Sequence, residues 1–124
     1  MTNRLIPDTI RIMGIDFATS IVNDLHCDGE DADAEIDVNE CTIRVDDSLS
    51  NPQSVRLALW HEIIHGMLQL TGFVREGENE VLVQCIALGV YQVLRDNPNL
   101  RAAGTCEPCR CAGAVEFENG EKGP

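Results

Sequence analysis

Eight consecutive residues, Leu59-Trp60-His61-Glu62-Ile63-Ile64-His65-Gly66, carry two histidines and a glutamate in the order H-E-x-x-H. On an α-helix, residues four apart lie one turn apart on nearly the same face. Two imidazoles at that spacing can bind one Zn²⁺ from one side. Glu62, next to the first imidazole, can take the proton of a zinc-bound water. The plainer reading is a core helix whose two histidines are merely hydrogen-bonded. The surrounding sequence has to decide between the two.

Catalytic zinc sites use three protein ligands and leave a fourth position for water. The chain has three histidines, and the one left over, His26, lies far upstream in an acidic stretch. Downstream, Glu76, Glu78 and Glu80 open what reads as a second helix. A short connection would fold that helix back on the first and bring its first turn near His65. A His₂Glu site with His61, His65 and Glu80 is the expectation, and Glu78 is the next choice for the acid. Gln84 is one turn beyond Glu80, where it could hydrogen-bond a ligand from behind. Glu76 and Glu78 have an alternative task at the helix N-terminus, where the dipole favours acid. His₂Glu sites also take other divalent ions, so sequence alone leaves the metal open.

These residues need a rigid frame, and the sequence supplies one. Asn51 is a good N-cap and Pro52 suits a first helical position. The apolar residues from Val55 to Leu70 surround the helix almost completely, and Gly72 stops it. Such a helix is expected to be buried and central, and buried histidines and glutamate then need partners. A second helix is expected from about Glu78 to Asp96, ended by Asn97-Pro98.

Upstream, the apolar parity of Ile10-Arg11-Ile12 and Ile15-Asp16-Phe17 switches across Met13-Gly14. A two-residue turn there pairs Ile12 with Ile15 and Ile10 with Phe17; a single bulged strand is the alternative. The second strand extends toward Ile21 and Val22. Asp24 to Asp33 reads as an acidic surface loop, with His26 and Cys27 solvated rather than metal-binding. A second hairpin turning at Asn39-Glu40 pairs Val38 with Cys41, Ile36 with Ile43 and Ala34 with Val45 on one face. Asp37 then meets Thr42, and Glu35 meets Arg44 of opposite charge, on the other. Asn-Glu is not a favoured two-residue turn, so a longer loop is also open.

The 124 residues suit one domain with its own core, and the formal net charge is −12. That charge disfavours nucleic acid and anionic membranes as partners and favours a basic protein or peptide. Met1 to Ile10 has no long apolar run, so neither a signal peptide nor a membrane span is expected. A cytoplasmic setting with six reduced cysteines follows. Cys106, Cys109 and Cys111 form C-x₂-C-x-C in a polar tail, 99–124, expected to be flexible. Three thiols are one short of a tetrahedral zinc site unless Cys85 joins them, so free thiols are expected there.

Three segments together resemble the small phage- and prophage-encoded zinc metallopeptidases related to the ImmA/IrrE family. They are Trp60-His61-Glu62-Ile63-Ile64-His65-Gly66, Glu78-Asn79-Glu80-Val81 and Tyr91-Gln92-Val93-Leu94-Arg95-Asp96-Asn97-Pro98. The upstream β-hairpin is similar to theirs, and the likeness covers roughly Ile6 to Pro98. It implies an α+β, minimal zincin-like domain over residues 1–98. In such a domain a small antiparallel or mixed twisted sheet packs on two main helices. It implies a zinc endopeptidase with His61, His65 and Glu80 as ligands and Glu62 as general base, acting in a bacterial host cytosol on a regulatory protein of phage or host. If Cys41 to Asp46 forms the sheet edge, it could hold an extended substrate by strand addition. The rival reading is a structural or inactive zinc protein that captures a basic partner.

Overall fold

A computed structural model describes residues 6–100 of the chain. Cys106, Cys109, Cys111 and the expected tail from residue 101 onward lie outside the described residues, whereas residues 99 and 100, expected to be part of the tail, are helical. The chain divides into two compact units, Met1–Tyr91 and Gln92–Pro124.

The first unit is α+β, with a four-stranded mixed sheet. Strands β1 (Thr9–Ile12) and β2 (Ile15–Val22) form the first hairpin. Met13 and Gly14 both have positive φ, 51° and 83°, as a two-residue turn with the sheet's twist requires. Ile10 pairs with Phe17 and Ile12 with Ile15, so the two-residue turn is present and the bulged strand is not.

Asp24 to Asp33 is not simply a loop. His26–Cys27 (β3) and Glu30–Asp31 (β4) make a small antiparallel hairpin of their own. Its turn residues Asp28 and Gly29 again both have positive φ. Asp-Gly is a strong turn dipeptide, but its acidic flanks hide the strands from a hydrophobic-pattern reading.

Strands β5 (Ala34–Asp37) and β6 (Thr42–Asp46) follow. Their pairs are Ala34 with Val45, Glu35 with Arg44, Ile36 with Ile43 and Asp37 with Thr42, and Arg44 and Glu35 form an ion pair. Val38 and Cys41 do not extend the ladder. Residues 38–41 form a longer turn, with Cys41 at φ 57°.

The sheet order is β1-β2-β6-β5, and β6 runs parallel to β2. This corrects the expectation that Cys41 to Asp46 is the edge. Strand β6 is interior, and the exposed edge near α1 is β5. Hairpin periodicity carries no information about this long-range parallel pairing.

Helix α1 (Pro52–Leu70) starts as its sequence dictates: Asn51 Oδ1 accepts from the amides of Gln53 at 2.8 Å and Ser54 at 3.3 Å. It ends at Thr71, followed by Gly72 at φ 91°. One face, through Val55, Leu59 and Ile63, packs on the sheet core of Ile12, Phe17, Ile43 and Val45. The opposite face, through Leu57, Trp60, Ile64 and Leu68, meets Val83, Ile86 and Ala87. Two cores on opposite sides explain why the helix is apolar nearly all round. Each fully buried aliphatic side chain contributes about 1.5–3 kcal/mol, so packing fixes the helix and the polar residues follow.

The connection after Gly72 contains a one-turn helix, α2 (Val74–Gly77), and α3 runs Glu80–Asp96. Asn79 begins α3, with its Oδ1 accepting from Leu82 N–H at 3.1 Å. The α3 helix stops at Asp96, and in the second unit Asn97 Nδ2 donates to Val93 O at 2.9 Å. Among the described residues no helix is long and apolar enough to cross a membrane.

Candidate metal centre

Between its two packed faces, α1 turns a third face toward an open cleft. His61 and His65 lie on it, with side chains 20% and 12% exposed. Glu80, the first residue of α3, reaches across to them. Its Oε1 lies 2.8 Å from His61 Nε2 and 3.3 Å from His65 Nε2, and the two Nε2 atoms are 3.1 Å apart.

Each ring is oriented from behind. His61 Nδ1 donates to Gln84 Oε1 at 2.6 Å, and His65 Nδ1 donates to the Gly77 carbonyl at 2.6 Å. Both partners are acceptors, so each Nδ1 is held from behind and both Nε2 atoms turn toward Glu80 and each other. Three potential ligand atoms are thereby gathered around one point. Ligand atoms at 2.0–2.1 Å around a tetrahedral cation are roughly 3.3 Å apart. The three observed separations are close to one face of that tetrahedron, so the donor set fits a divalent cation with its outer position open.

Glu62 is the one buried charged residue among those described, at 9% exposure. Its Oε1 accepts from the backbone N–H of Ile36 at 3.0 Å. That amide points away from β6 because β5 is an edge strand. Burial pushes the Glu62 carboxyl up to about 7, against the opposing pull of the His61 ring and the Ile36 amide. A carboxyl near neutrality can both accept and return a proton. For Glu80, burial acts to raise the pKa, but the hydrogen bond from His61 and the charges and hydrogen bond of the two rings hold it below the usual value.

Of the residues singled out from sequence, His61, His65 and Glu80 converge, Glu62 is beside them and Gln84 backs His61. Glu78 does not join them: it caps the end of α2 and is exposed. Glu76 lies within α2. Cys85 is exposed on α3.

Two contributors were missed. Gly77 supplies a carbonyl to His65 and comes so near α1 that a Cβ there would be 3.2 Å from Leu68 Cβ. A glycine in a short connection was a signal of close approach, but nothing in the sequence said what its carbonyl would meet. Ile36 supplies its amide to Glu62, and that depends on the edge position of β5.

Asp24, His26 and Asp31 form a second, exposed group. His26 Nε2 faces Asp31 at 3.0 Å, whereas Nδ1 lies 2.9 Å from the Asp24 carbonyl and 3.9 Å from its carboxylate. The two acids flank different ring nitrogens, the Asp31 contact ties β3 to β4, and one ligand atom from each of the three residues lies within 4.8 Å of the others at the surface.

No protein-family model matches the chain, and comparison with curated proteins and with solved structures also finds no match.

Proposed function

We propose that this chain is a zinc-dependent metallopeptidase with a minimal zincin-like architecture, akin to the small phage-encoded enzymes that its motifs resemble. The observation that supports it most is the convergence of His61 Nε2, His65 Nε2 and Glu80 Oε1 beside a buried Glu62 in an open cleft. His61, His65 and Glu80 hold the metal; Gln84 and the Gly77 carbonyl fix the ring tautomers. Bound zinc supplies a water of lowered pKa and a Lewis acid for the scissile carbonyl. Glu62 takes the proton of the attacking water and returns it to the leaving nitrogen. The Ile36 amide holds the Glu62 carboxylate in position between those transfers.

A purely structural zinc site, serving a protein that only captures a partner, has no use for Glu62. Burying that carboxyl is unfavourable, and an apolar residue there would pack better. This favours the enzyme over the binder.

The test is Glu62→Gln in the zinc-loaded full chain. Zinc content is expected to stay at one per chain while cleavage of a peptide library falls at least about a hundredfold, the usual scale of a lost general base. Unchanged cleavage, or a biological effect that survives the substitution, rejects the peptidase.

A further inference from the structure

Helix α3 has a face that the metal centre does not use. Val83 and Ala87 are buried against Ile64 of α1. Roughly opposite them on the helix lie Val81, Leu82, Cys85, Leu88 and Gly89, all exposed. Val81 alone is 77% exposed. The five residues form one strip roughly two turns long, with Cys85 at its middle both along the helix and around it. No charged residue occurs between Glu80 and Arg95. A helix that is apolar all round is normally buried all round. Among the described residues, this side of α3 is left open.

The chemistry of the strip limits what can cover it. A chain of net charge −12 draws basic partners to its carboxylates, and the strip has none. Its complement is another uncharged, apolar surface, and its own shape provides one. A two-fold axis at Cys85 between two antiparallel copies of α3 places Val81 against Leu88 of the second copy and Leu82 against Gly89 of the second copy. The two Cys85 residues then meet on the axis. Gly89 leaves the room that Leu82 needs: a Cβ there would have nothing within 4 Å among the described residues.

We propose that the 81–89 strip pairs two copies of this chain, antiparallel, through α3. The strip offers roughly 400 Å² per copy, at the low end for a specific interface, so the dimer is weak, with Kd on the order of 10 μM. The two copies repel through their net charge, and salt screens that repulsion. Added salt therefore tightens this dimer, whereas it loosens a contact made of opposite charges. The inference goes beyond the peptidase reading and does not depend on it, since none of the five residues belongs to the metal centre.

Sedimentation equilibrium of the full chain in reductant, from micromolar to submillimolar concentration, tests it. The mass is expected to rise with concentration from 13.6 kDa toward twice that value, and more steeply in high salt. Val81→Arg lowers the net negative charge, so weaker pairing cannot come from added repulsion. It is expected to raise Kd at least about tenfold, the scale of a lost central contact. Gly89→Gln should do the same by filling the place of Leu82 from the second copy. Both positions are exposed, so the far-ultraviolet circular dichroism is expected to match that of the unsubstituted chain. In a chain carrying Cys106→Ser, Cys109→Ser and Cys111→Ser, a short bismaleimide should link two copies, and a further Cys85→Ser should prevent it.

A single mass of 13.6 kDa at every concentration overturns the proposal, because the strip is then covered by its own chain or by a different protein. A dimer that keeps its affinity in either variant, that salt weakens, or that cannot be linked through Cys85 overturns it as well.

Discussion

His61 and His65 hold their Nε2 atoms 3.1 Å apart, a close approach that needs each ring to be fixed in orientation. What imposes it is the acceptor behind each ring. If Gln84 Oε1 sets the His61 tautomer, Gln84→Ala should weaken zinc binding about tenfold or more, the usual cost of losing a partner behind a ligand. Gln84→Glu, which keeps an acceptor in place, should restore it. Competition with a chromophoric chelator measures both. Equal affinity for all three chains would mean that the ring is oriented by packing alone. Glu62 is held by similar means: one backbone amide anchors its carboxyl, which burial pushes up to about 7 against the pull of the His61 ring and that amide.

At the scale of elements, α2 brings the Gly77 carbonyl to His65. Gly77 lets this turn approach α1, since a Cβ there would crowd Leu68. Gly77→Ala should therefore push α2 outward and loosen its hydrogen bond to His65. Zinc affinity is expected to fall about tenfold while the far-ultraviolet circular dichroism stays unchanged, and unaltered affinity would show that α2 has no part in orienting the ring. Helix α1 was legible because its signals are local: Asn51, Pro52, the apolar run and Gly72. The two longer hairpins were legible too, since a turn and a period-two pattern set their register. The β2–β6 parallel pairing was not, because it joins segments across an intervening hairpin and leaves no periodic trace. From that one pairing follow the edge position of β5 and the free amide that Ile36 gives to Glu62. The start of α3 at Glu80 rather than Glu78 was hidden as well, since Asn79 is one of several polar residues able to cap a helix.

At the scale of the whole molecule, the centre is put together from four separate segments: α1, the edge strand β5, the α2 turn and the start of α3. Two packed cores hold this frame, the sheet core on one side of α1 and the Val83–Ala87 core on the other. An unfolded chain cannot bring these groups together, so a cation bound here stabilises the native state by mass action. At a hundredfold excess of free zinc over Kd the gain is about 2.7 kcal/mol. For a chain of this size that raises Tm by on the order of 10 °C. A chelator should reverse the shift, and His65→Ala should abolish it. Magnesium should not reproduce it, because a two-imidazole set suits zinc and its transition-metal neighbours. Differential scanning calorimetry in stoichiometric zinc, in chelator and in magnesium separates these cases. A Tm indifferent to zinc, with His65→Ala unfolding at the same temperature, would mean that the three donor atoms share no cation, and the catalytic reading would fall with it.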